Sequence, residues 1–178
     1  MALTQVTRTY LEMTSAEELR AVARPEPAPR IEEVRECPVS FFRYLYAEVG
    51  CAFHWTDRLV WSDERVREYL ASPDVSLWLM TWQAAPAGFF ELKRCEDDSV
   101  EVAYFGLLPE YIGRGWGKHL LVEAVRAAWA LRPQRVWLHT CTLDHPAALP
   151  NYMQRGFRHV RQENYTVDIP KTISRIQS

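Results

Sequence analysis

One segment carries most of the information in this sequence: Leu107-Leu108-Pro109-Glu110-Tyr111-Ile112-Gly113-Arg114-Gly115-Trp116-Gly117-Lys118-His119-Leu120-Leu121. An apolar strand runs into a turn with three alternating glycines, and an amphipathic helix begins inside that turn. Glycine adopts backbone conformations that other residues avoid, and it lets a ligand approach the main chain closely. The first amides of a helix have no partner within the helix and point out of its N-terminus. The segment therefore predicts a binding site for phosphate groups.

Length, composition and charge narrow the classes of protein to which the chain can belong. Its 178 residues are typical of a single domain, and its hydrophobic share of 48% and charged share of 25% are ordinary for a globular protein. The net charge of −2 provides no basic field that would recruit nucleic acid or an anionic membrane. No apolar run approaches the ~20 residues of a membrane span. The first residues also lack the charged-then-apolar layout of a signal peptide.

The cysteine and histidine residues give no sign of a metal site. Cys37, Cys51, Cys95 and Cys141 are far apart in the sequence and lack the paired spacing of metal ligands. The five histidines also lack the spacing of a zinc site. We therefore expect reduced thiols, no metal and a cytoplasmic protein.

The sequence divides into an N-terminal extension, residues 1–36, packed on or beside a single domain, residues 37–178. The extension contains predicted strands at residues 6–13 and 31–34, and a capping-box pattern at Ser15 that opens a short helix. The domain begins with a helix at residues 38–49 and a second helix capped by Ser62. Strands follow at 76–83, 88–94 and 100–107, and their short connections predict antiparallel hairpins.

The elements after the glycine turn return the chain to the same sheet. The helix that begins in the turn is predicted to run to Leu131, and a strand follows at residues 135–142. This strand–helix–strand step implies a parallel, right-handed crossover. Asp144 is predicted to cap a last helix, which Gly156 ends, and strands at 157–161 and 165–169 close the sheet. The fold class is therefore α/β of the α+β type, a mixed and mainly antiparallel twisted sheet with helices on both faces.

Two common phosphate-binding motifs do not fit the glycine turn. A P-loop has four residues between its glycines and then Gly-Lys-Ser/Thr, whereas His119 follows Gly117-Lys118 here. The dinucleotide fingerprint is Gly-x-Gly-x-x-Gly, whereas Gly113, Gly115 and Gly117 form Gly-x-Gly-x-Gly. The antiparallel hairpins upstream also conflict with a doubly wound sheet. Both motifs are therefore disfavoured.

Three blocks of sequence match a different phosphate site. The segment Ile112-Gly113-Arg114-Gly115-Trp116-Gly117 matches the second half of Gln/Arg-x-x-Gly-x-Gly/Ala, with Ile112 in place of the polar residue. Residues 102–110 look like a strand that is kinked at its end, and Tyr152-Met153-Gln154-Arg155-Gly156-Phe157 matches Tyr-x-x-x-Gly-Phe. In this order the blocks resemble the GNAT superfamily of N-acetyltransferases. The resemblance covers residues 77–167.

The resemblance implies how a co-substrate binds. It implies a central pair of parallel strands, residues 100–107 and 135–142, that splay apart to form a V-shaped opening for acetyl-CoA. The pantetheine would lie along the free backbone edge, and the pyrophosphate would rest on the amides of the glycine turn. The charges of Arg114 and Lys118 would assist, although ordinary solvated helix charge explains them equally well. The implied cofactor-binding residues are Phe105, Gly106, Leu107, Leu108, Ile112, Gly113, Arg114, Gly115, Trp116, Gly117 and Lys118.

The resemblance also implies two catalytic roles. Glu101 stands where some members of the family keep a general-base glutamate, and Tyr152 falls on the family's general-acid tyrosine. A carboxylate accepts a proton from the attacking amine, and a phenol donates one to the departing thiolate. The plainer interpretations are an outward-facing or ion-paired strand glutamate and a packed helix tyrosine. A further alternative is an acyl-cysteine on Cys141, with His139 or His145 as its base.

Acceptor specificity in this family usually comes from the first two helices and the connection between them. We expect Phe42, Tyr46, Trp55 and Trp61 in that region to bind a small amine with an apolar or aromatic body. The expected activity is acetyl transfer from acetyl-CoA to a primary amine by direct attack in a ternary complex. We expect a monomer or homodimer that binds neither nucleic acid nor membrane. The alternatives are a non-catalytic domain of the same fold that binds acyl-CoA or another protein, and a transferase with a hydroxyl acceptor or a longer acyl donor.

Overall fold

The centre of the molecule is a single mixed sheet with helices on both faces, seen in a computed structural model that describes residues 2–169. The strands are β1 (Ala2–Met13), β2 (Arg30–Glu33), β3 (Val75–Trp82), β4 (Ala85–Arg94), β5 (Ser99–Leu107), β6 (Arg135–Cys141) and β7 (Arg158–Ile169). The helices are α1 (Val39–Gly50), α2 (Asp63–Ala71), α3 (Trp116–Ala130) and α4 (Ala148–Gln154), with short 3-10 turns at Ala16–Glu18, Cys51–Phe53 and Pro109–Tyr111. The strand order is β2-β3-β4-β5-β6-β1-β7. Within the described range only β5 and β6 pair in parallel, which confirms the predicted fold class.

Two hydrophobic cores lie on opposite faces of the sheet. Adjacent residues of a strand point to opposite faces, and the neighbours Phe89 and Phe90 of β4 belong to different cores. Phe89 packs with α1 and α2, whereas Phe90 packs with α3 and α4. Both rings are fully buried. We call the face that carries α1 and α2 the front face, and the face that carries α3 and α4 the back face.

Local sequence signals set most of the helix ends. The hydroxyl of Ser62 accepts a hydrogen bond from the amide of Arg65 at 3.2 Å, which confirms the predicted cap of α2. Gly156 follows α4 with a φ of 107°, a conformation that favours glycine, and ends that helix as predicted. Ser15 caps only a single 3-10 turn, Ala16–Glu18.

Two predictions for the last third of the chain are wrong. Asp144 does not cap α4, because its carboxylate accepts hydrogen bonds from the Thr140 hydroxyl at 2.6 Å and the Cys141 amide at 2.9 Å. That carboxylate closes the turn after β6, and α4 begins after Ala147 without a side-chain cap. In place of two C-terminal strands the chain forms one, β7. It stays continuous because it pairs with β1 along nearly its whole length.

Both strands of residues 2–36 belong to the central sheet. β1 pairs with β6 on one side and β7 on the other, and β2 pairs with β3 at the opposite edge. Leu11 and Met13 are fully buried in the back-face core. The first strand of the chain is therefore an interior strand of the sheet.

The parallel strands β5 and β6 separate soon after they meet. They pair at only three positions, Ser99 with Arg135, Val100 with Val136 and Glu101 with Trp137. Beyond these positions, the side of β5 that faces β6 has no strand partner among the described residues. This geometry confirms the splayed parallel pair.

A β-bulge in β5 changes which residues face the front. The register with β4 shifts between Glu91 and Leu92, so that Ala103 is an extra residue without a partner in that strand pair. Glu101 faces the front before the bulge, because both of its neighbours lie in the back-face core. Tyr104 faces the front after the bulge. The bulge therefore places a carboxylate and a phenol on the same face, beside the gap between β5 and β6.

Candidate active site

A cavity of about 1200 Å³ opens where β5 and β6 separate. Its walls come from both strands, the glycine turn, the connection between α1 and α2, one side of α4, and residues of β1 and β7. Glu101 and Tyr152, the two predicted catalytic residues, both line this cavity. The structure thus brings the predicted phosphate site and the predicted catalytic residues around one space.

The glycine turn presents its main chain to the cavity. Gly113 and Gly115 have φ angles of 88° and 75°, which residues with a side chain rarely adopt. A Cβ atom at Gly113 would meet no atom within 4 Å, so this side of the turn is open. Gly117 and Lys118 follow in the first turn of α3 and also line the cavity. Because amides at a helix N-terminus lack helical partners, the turn is suited to hold an anion.

The predicted cofactor-binding residues fall into two groups. Those that line the cavity are Phe105, Gly106, Leu107, Ile112, Gly113, Gly115, Gly117 and Lys118, whereas Leu108, Arg114 and Trp116 do not. Leu108 is buried in the front-face core. The Trp116 ring stacks on Tyr111 at 5.6 Å, and the Arg114 guanidinium lies 5.0 Å from the centre of the same Tyr111 ring. Leu108 and Trp116 are therefore buried residues beside the turn, and Arg114 is an exposed residue that lies against Tyr111.

Glu101 is paired with a histidine across the gap. Its carboxylate Oε1 lies 3.7 Å from Nε2 of His139, which projects from the front face of β6. Burial and the charge of Glu91 raise the pKa of Glu101, against the opposing charges of Lys93 and Arg58. Burial lowers the pKa of His139, so the imidazole is neutral at pH 7. A carboxylate with a raised pKa beside a neutral imidazole is suited to accept a proton.

Tyr152 enters the cavity from α4. Its ring packs between Phe105 of β5 and Phe157, with centroid distances of 6.1 and 6.2 Å. Burial and the charge of Asp144 raise the pKa of Tyr152. The phenol therefore stays protonated at neutral pH and is suited to donate a proton. Packing and donation are compatible, because Tyr152 belongs to the back-face core and also lines the cavity.

Aromatic side chains form one wall of the cavity on the front face. Tyr46, Trp55 and Trp61, the predicted acceptor-binding residues, line it together with Tyr69 and Tyr104. The rings contact one another, with centroids 4.9 Å apart for Trp55 and Tyr104 and 5.1 Å apart for Tyr46 and Tyr104.

Phe42 does not line the cavity, although the sequence grouped it with the other aromatic residues. It lies on the inner side of α1, is 1% exposed and packs in the front-face core. Phe42 therefore packs behind the cavity wall, where its ring contacts that of Tyr46.

A buried ion pair lies beneath the aromatic wall, and sequence reasoning missed it. The Arg58 guanidinium donates to the two carboxylate oxygens of Glu91 at 2.5 and 2.8 Å, and the Tyr69 hydroxyl donates to the same carboxylate. The Glu91 side chain is fully buried and that of Arg58 is 8% exposed. Burial acts to lower the pKa of Arg58, but the hydrogen bonds and charge of Glu91 outweigh it and raise that pKa. A charged residue inside the apolar run of β4 was the signal available in the sequence.

Cys141 also borders the cavity at the end of β6. Burial and the nearby charge of Asp144 raise the pKa of its thiol, so the sulfur is protonated at neutral pH. A nucleophilic cysteine needs the opposite shift. Direct attack by the acceptor therefore has better support than an acyl-cysteine.

Two further classes of site were sought in the described residues. Between residues 2 and 169, no three or more His, Cys, Asp and Glu side chains come together in a way that could hold a metal ion. None of the helices in the same range combines the length and apolar character that crossing a membrane requires.

Comparison with known proteins identifies the family of this fold. The sequence model of the Acetyltransferase (GNAT) family matches residues 42–157, a range that contains the glycine turn, Glu101 and Tyr152. No curated protein sequence matches the chain significantly.

Solved structures share the fold at low sequence identity. A GCN5-related N-acetyltransferase from Kribbella flavida matches with a TM-score of 0.65 and 18% identity, covering 92% of this chain and 58% of that one. A Bacillus subtilis acetyltransferase in complex with CoA matches with a TM-score of 0.54 and 23% identity, covering 73% and 76%. An aminoglycoside acetyltransferase from an uncultured soil metagenomic sample, in complex with trehalose, matches with a TM-score of 0.59 and 14% identity, covering 71% and 86%. The chain spans 51–64% of the length of five matched structures, including the Kribbella protein.

Proposed function

The chain belongs to the acetyltransferase (GNAT) family, and from this premise we propose that it transfers an acetyl group from acetyl-CoA to a primary amine of a small acceptor. One observation carries the proposal: the glycine turn, Glu101 and Tyr152 line the same cavity at the splay of β5 and β6. That arrangement supports direct attack by the acceptor in a ternary complex.

The residues at the splay fit acyl-CoA. Among residues 2–169, no strand pairs with the edge of β5 near Phe105 and Leu107 on the side of the gap, so its backbone can pair with the amide groups of an extended pantetheine. The amides of the glycine turn and the first turn of α3 suit the pyrophosphate. Lys118 lies at that turn and adds a positive charge. Acetyl-CoA is thus proposed as co-substrate, with its thioester held between β5 and β6.

The chemistry divides between two side chains. The amine nitrogen attacks the thioester carbonyl, so that a carbon–nitrogen bond forms and the carbon–sulfur bond breaks. In the proposed mechanism Glu101 accepts the proton that the amine loses, directly or through a water molecule. Tyr152 donates its hydroxyl proton to the departing sulfur of CoA. Burial favours both roles, because it raises the pKa of the acid and of the base.

Replacing Tyr152 by phenylalanine is expected to lower kcat by about 10²-fold, the lower end of what acid catalysis contributes. The loss is moderate because a thiolate is already a fair leaving group. The dissociation constant for CoA should stay close to that of the native protein, since the phenylalanine ring keeps the packing against Phe105. Steady-state kinetics and calorimetric titration with CoA measure the two quantities. Tyr44→Phe, which removes an exposed hydroxyl outside the cavity, is the matched control. A Tyr152→Phe variant with native kcat would remove this residue from the mechanism.

Replacing Gly115 by valine is expected to weaken CoA binding about tenfold or more. The φ of 75° at this position strains a β-branched residue by roughly 1–2 kcal/mol, so the turn shifts and its amides lose their alignment. Gly115→Asn is the matched control, because asparagine tolerates the left-handed conformation and should change affinity much less. Calorimetric dissociation constants for CoA test both variants. Native affinity in Gly115→Val would show that the turn does not hold the phosphates.

The activity itself is tested by the release of CoA thiol from acetyl-CoA in the presence of a panel of amines. Small amines with an aromatic or apolar body should be preferred, because Tyr46, Trp55 and Trp61 form the acceptor wall. A preference for polyamines or protein lysines would contradict this acceptor class. CoA binding without turnover for any amine or thiol would favour the non-catalytic domain instead.

A further inference from the structure

Arg8 places in the cavity a positive charge that forms no salt bridge in the described part of the chain. The residue lies on β1, its side chain lines the cavity, and its guanidinium carbon lies 4.9 Å from the centre of the Tyr165 ring. Its Nε atom is buried and has no hydrogen-bond partner among the described residues. A buried donor without an acceptor is costly, so this position favours a ligand that supplies one.

Other arginines of the front face are already neutralised. Arg58 is paired with Glu91, Arg135 lies 2.9 Å from Asp97, and Arg161 contacts the carboxylate of Glu163. Arg8 forms no ion pair of this kind in the described part of the chain. Its neighbour across β1 and β7, Glu163, is the carboxylate that Arg161 holds. The Arg8 guanidinium is therefore available to an anion that enters the cavity.

The sheet register sets the distance between Arg8 and the proposed base. Arg8 pairs with Cys141 of β6, and Glu101 pairs with Trp137 of the same strand, four residues earlier. Strand spacings of about 4.8 Å and rises of about 3.3 Å per residue put the two Cα atoms roughly 16 Å apart. Both side chains project from the front face into the cavity between them. The space suits a small molecule with an amine at one end and an anionic group close by.

The phosphates of acyl-CoA do not explain Arg8. The glycine turn lies beyond the end of β5 and leads into α3 on the back face, whereas Arg8 projects from the front face of β1. Lys93 is a second front-face cation at the cavity. It lies directly across from Glu101 in the sheet, and its charge interacts with the carboxylate of Glu101. Arg8 is thus the cation best placed for an anionic group of the acceptor.

We propose that Arg8 binds the carboxylate of the acceptor, and that the acceptor is an α-amino acid with an aromatic or large apolar side chain. This inference rests on the proposed function of the cavity. The planar guanidinium matches a carboxylate with two parallel hydrogen bonds. The side chain of the amino acid would lie against Tyr46, Trp55 and Trp61, and its amine would be presented to Glu101.

Matched pairs of ligands isolate the contribution of the carboxylate. Phenylalanine, tryptophan and leucine are compared with phenethylamine, tryptamine and isoamylamine, which differ from them only by loss of the carboxylate. Calorimetry in the presence of saturating CoA gives dissociation constants, and CoA release from acetyl-CoA gives kcat/KM. At least one acid is expected to bind about ten- to hundredfold more tightly than its amine partner, the range of a hydrogen bond to a charged group.

Three variants connect that preference to Arg8. Arg8→Gln should abolish the preference for the acid while changing amine binding little, and Arg8→Lys should retain part of it because the charge remains. Arg135→Gln removes a front-face arginine that is paired with Asp97 and does not line the cavity, and it should keep the native preference. Urea unfolding of each variant confirms that the fold is intact.

The outcomes separate this inference from the proposed function. Equal binding of acids and amines, a preference that survives Arg8→Gln, or no binding of any acid would overturn the inference. Arg8-dependent binding of an acid without acetyl transfer would leave the inference standing and contradict the proposed function. Acetylation of amines at equal rates with and without the carboxylate would support the proposed function and contradict the inference about Arg8.

Discussion

Replacing Glu101 by glutamine is expected to lower kcat by about 10²–10⁴-fold, the range that general-base catalysis contributes. Glutamine keeps the shape of the side chain and its place opposite His139, but it cannot accept the proton of the attacking amine. The dissociation constant for CoA should remain close to native, because Glu101 lies at the front face, away from the glycine turn where we propose that the phosphates bind. Steady-state kinetics with a saturating amine and calorimetry with CoA measure these effects.

The pH dependence of kcat gives this prediction a second test. Burial raises the pKa of Glu101. As the pH falls, Glu101 therefore becomes protonated at a higher pH than an ordinary glutamate, whose pKa is about 4.3. The native protein should therefore show an acid limb in kcat that Glu101→Gln lacks. Glu12→Gln, which changes a carboxylate paired with Arg135 outside the cavity, should keep both the rate and the limb. Native turnover in Glu101→Gln would assign the base elsewhere.

Replacing Glu91 by leucine is expected to lower the free energy of unfolding by about 3–5 kcal/mol, because it leaves the buried charge of Arg58 without its partner. The loss is large against a total stability of about 5–15 kcal/mol for a typical domain. The Arg58 side chain is 8% exposed and cannot move to water without repacking the aromatic wall. Urea unfolding of the native protein and the variant measures the difference.

A double variant separates the cost of leaving Arg58 as an unpaired buried charge from the cost of losing the ion pair itself. Arg58→Met combined with Glu91→Leu removes both charges, and it should recover most of the lost stability, because apolar residues of similar volume often replace a buried ion pair without loss. Tyr69→Phe, which removes only the hydroxyl that donates to Glu91, should cost about 1 kcal/mol. A change below about 1 kcal/mol in Glu91→Leu alone would mean that Arg58 is solvated in solution.

The local elements of the fold were predictable because their signals are local. The helix predicted at residues 38–49, the Ser62 cap of α2 and the Gly156 stop after α4 each depend on a few neighbouring residues, and all three agree with the structure. Asp144 shows the limit of such reasoning. A capping residue before a helix was a sound local interpretation, but its carboxylate bonds instead to Thr140 and Cys141 in the turn after β6.

The candidate site also contains residues that the sequence predicted and residues that only the structure revealed. Gly115, Glu101 and Tyr152 were predicted from the resemblance to the family, and all three line one cavity, whereas their roles stay predictions. Phe42 was grouped with the aromatic wall by composition, whereas the orientation of α1 turns its ring into the core. Arg58 and Glu91 were missed because nothing near either residue reveals the other, 33 positions away.

The sequence by itself determined the order of the helices and strands as far as α4, the antiparallel hairpins, the glycine turn and the family to which they belong. Tertiary structure alone decided that β1 lies between β6 and β7, that the bulge at Ala103 brings Glu101 and Tyr104 to one face, and that Arg8 stands across the cavity from Glu101. The physical reason is that hydrophobic periodicity shows which side of a strand is buried, but not which strand it pairs with. Strand pairing between distant segments, such as Arg8 with Cys141, depends on the packing of the whole sheet.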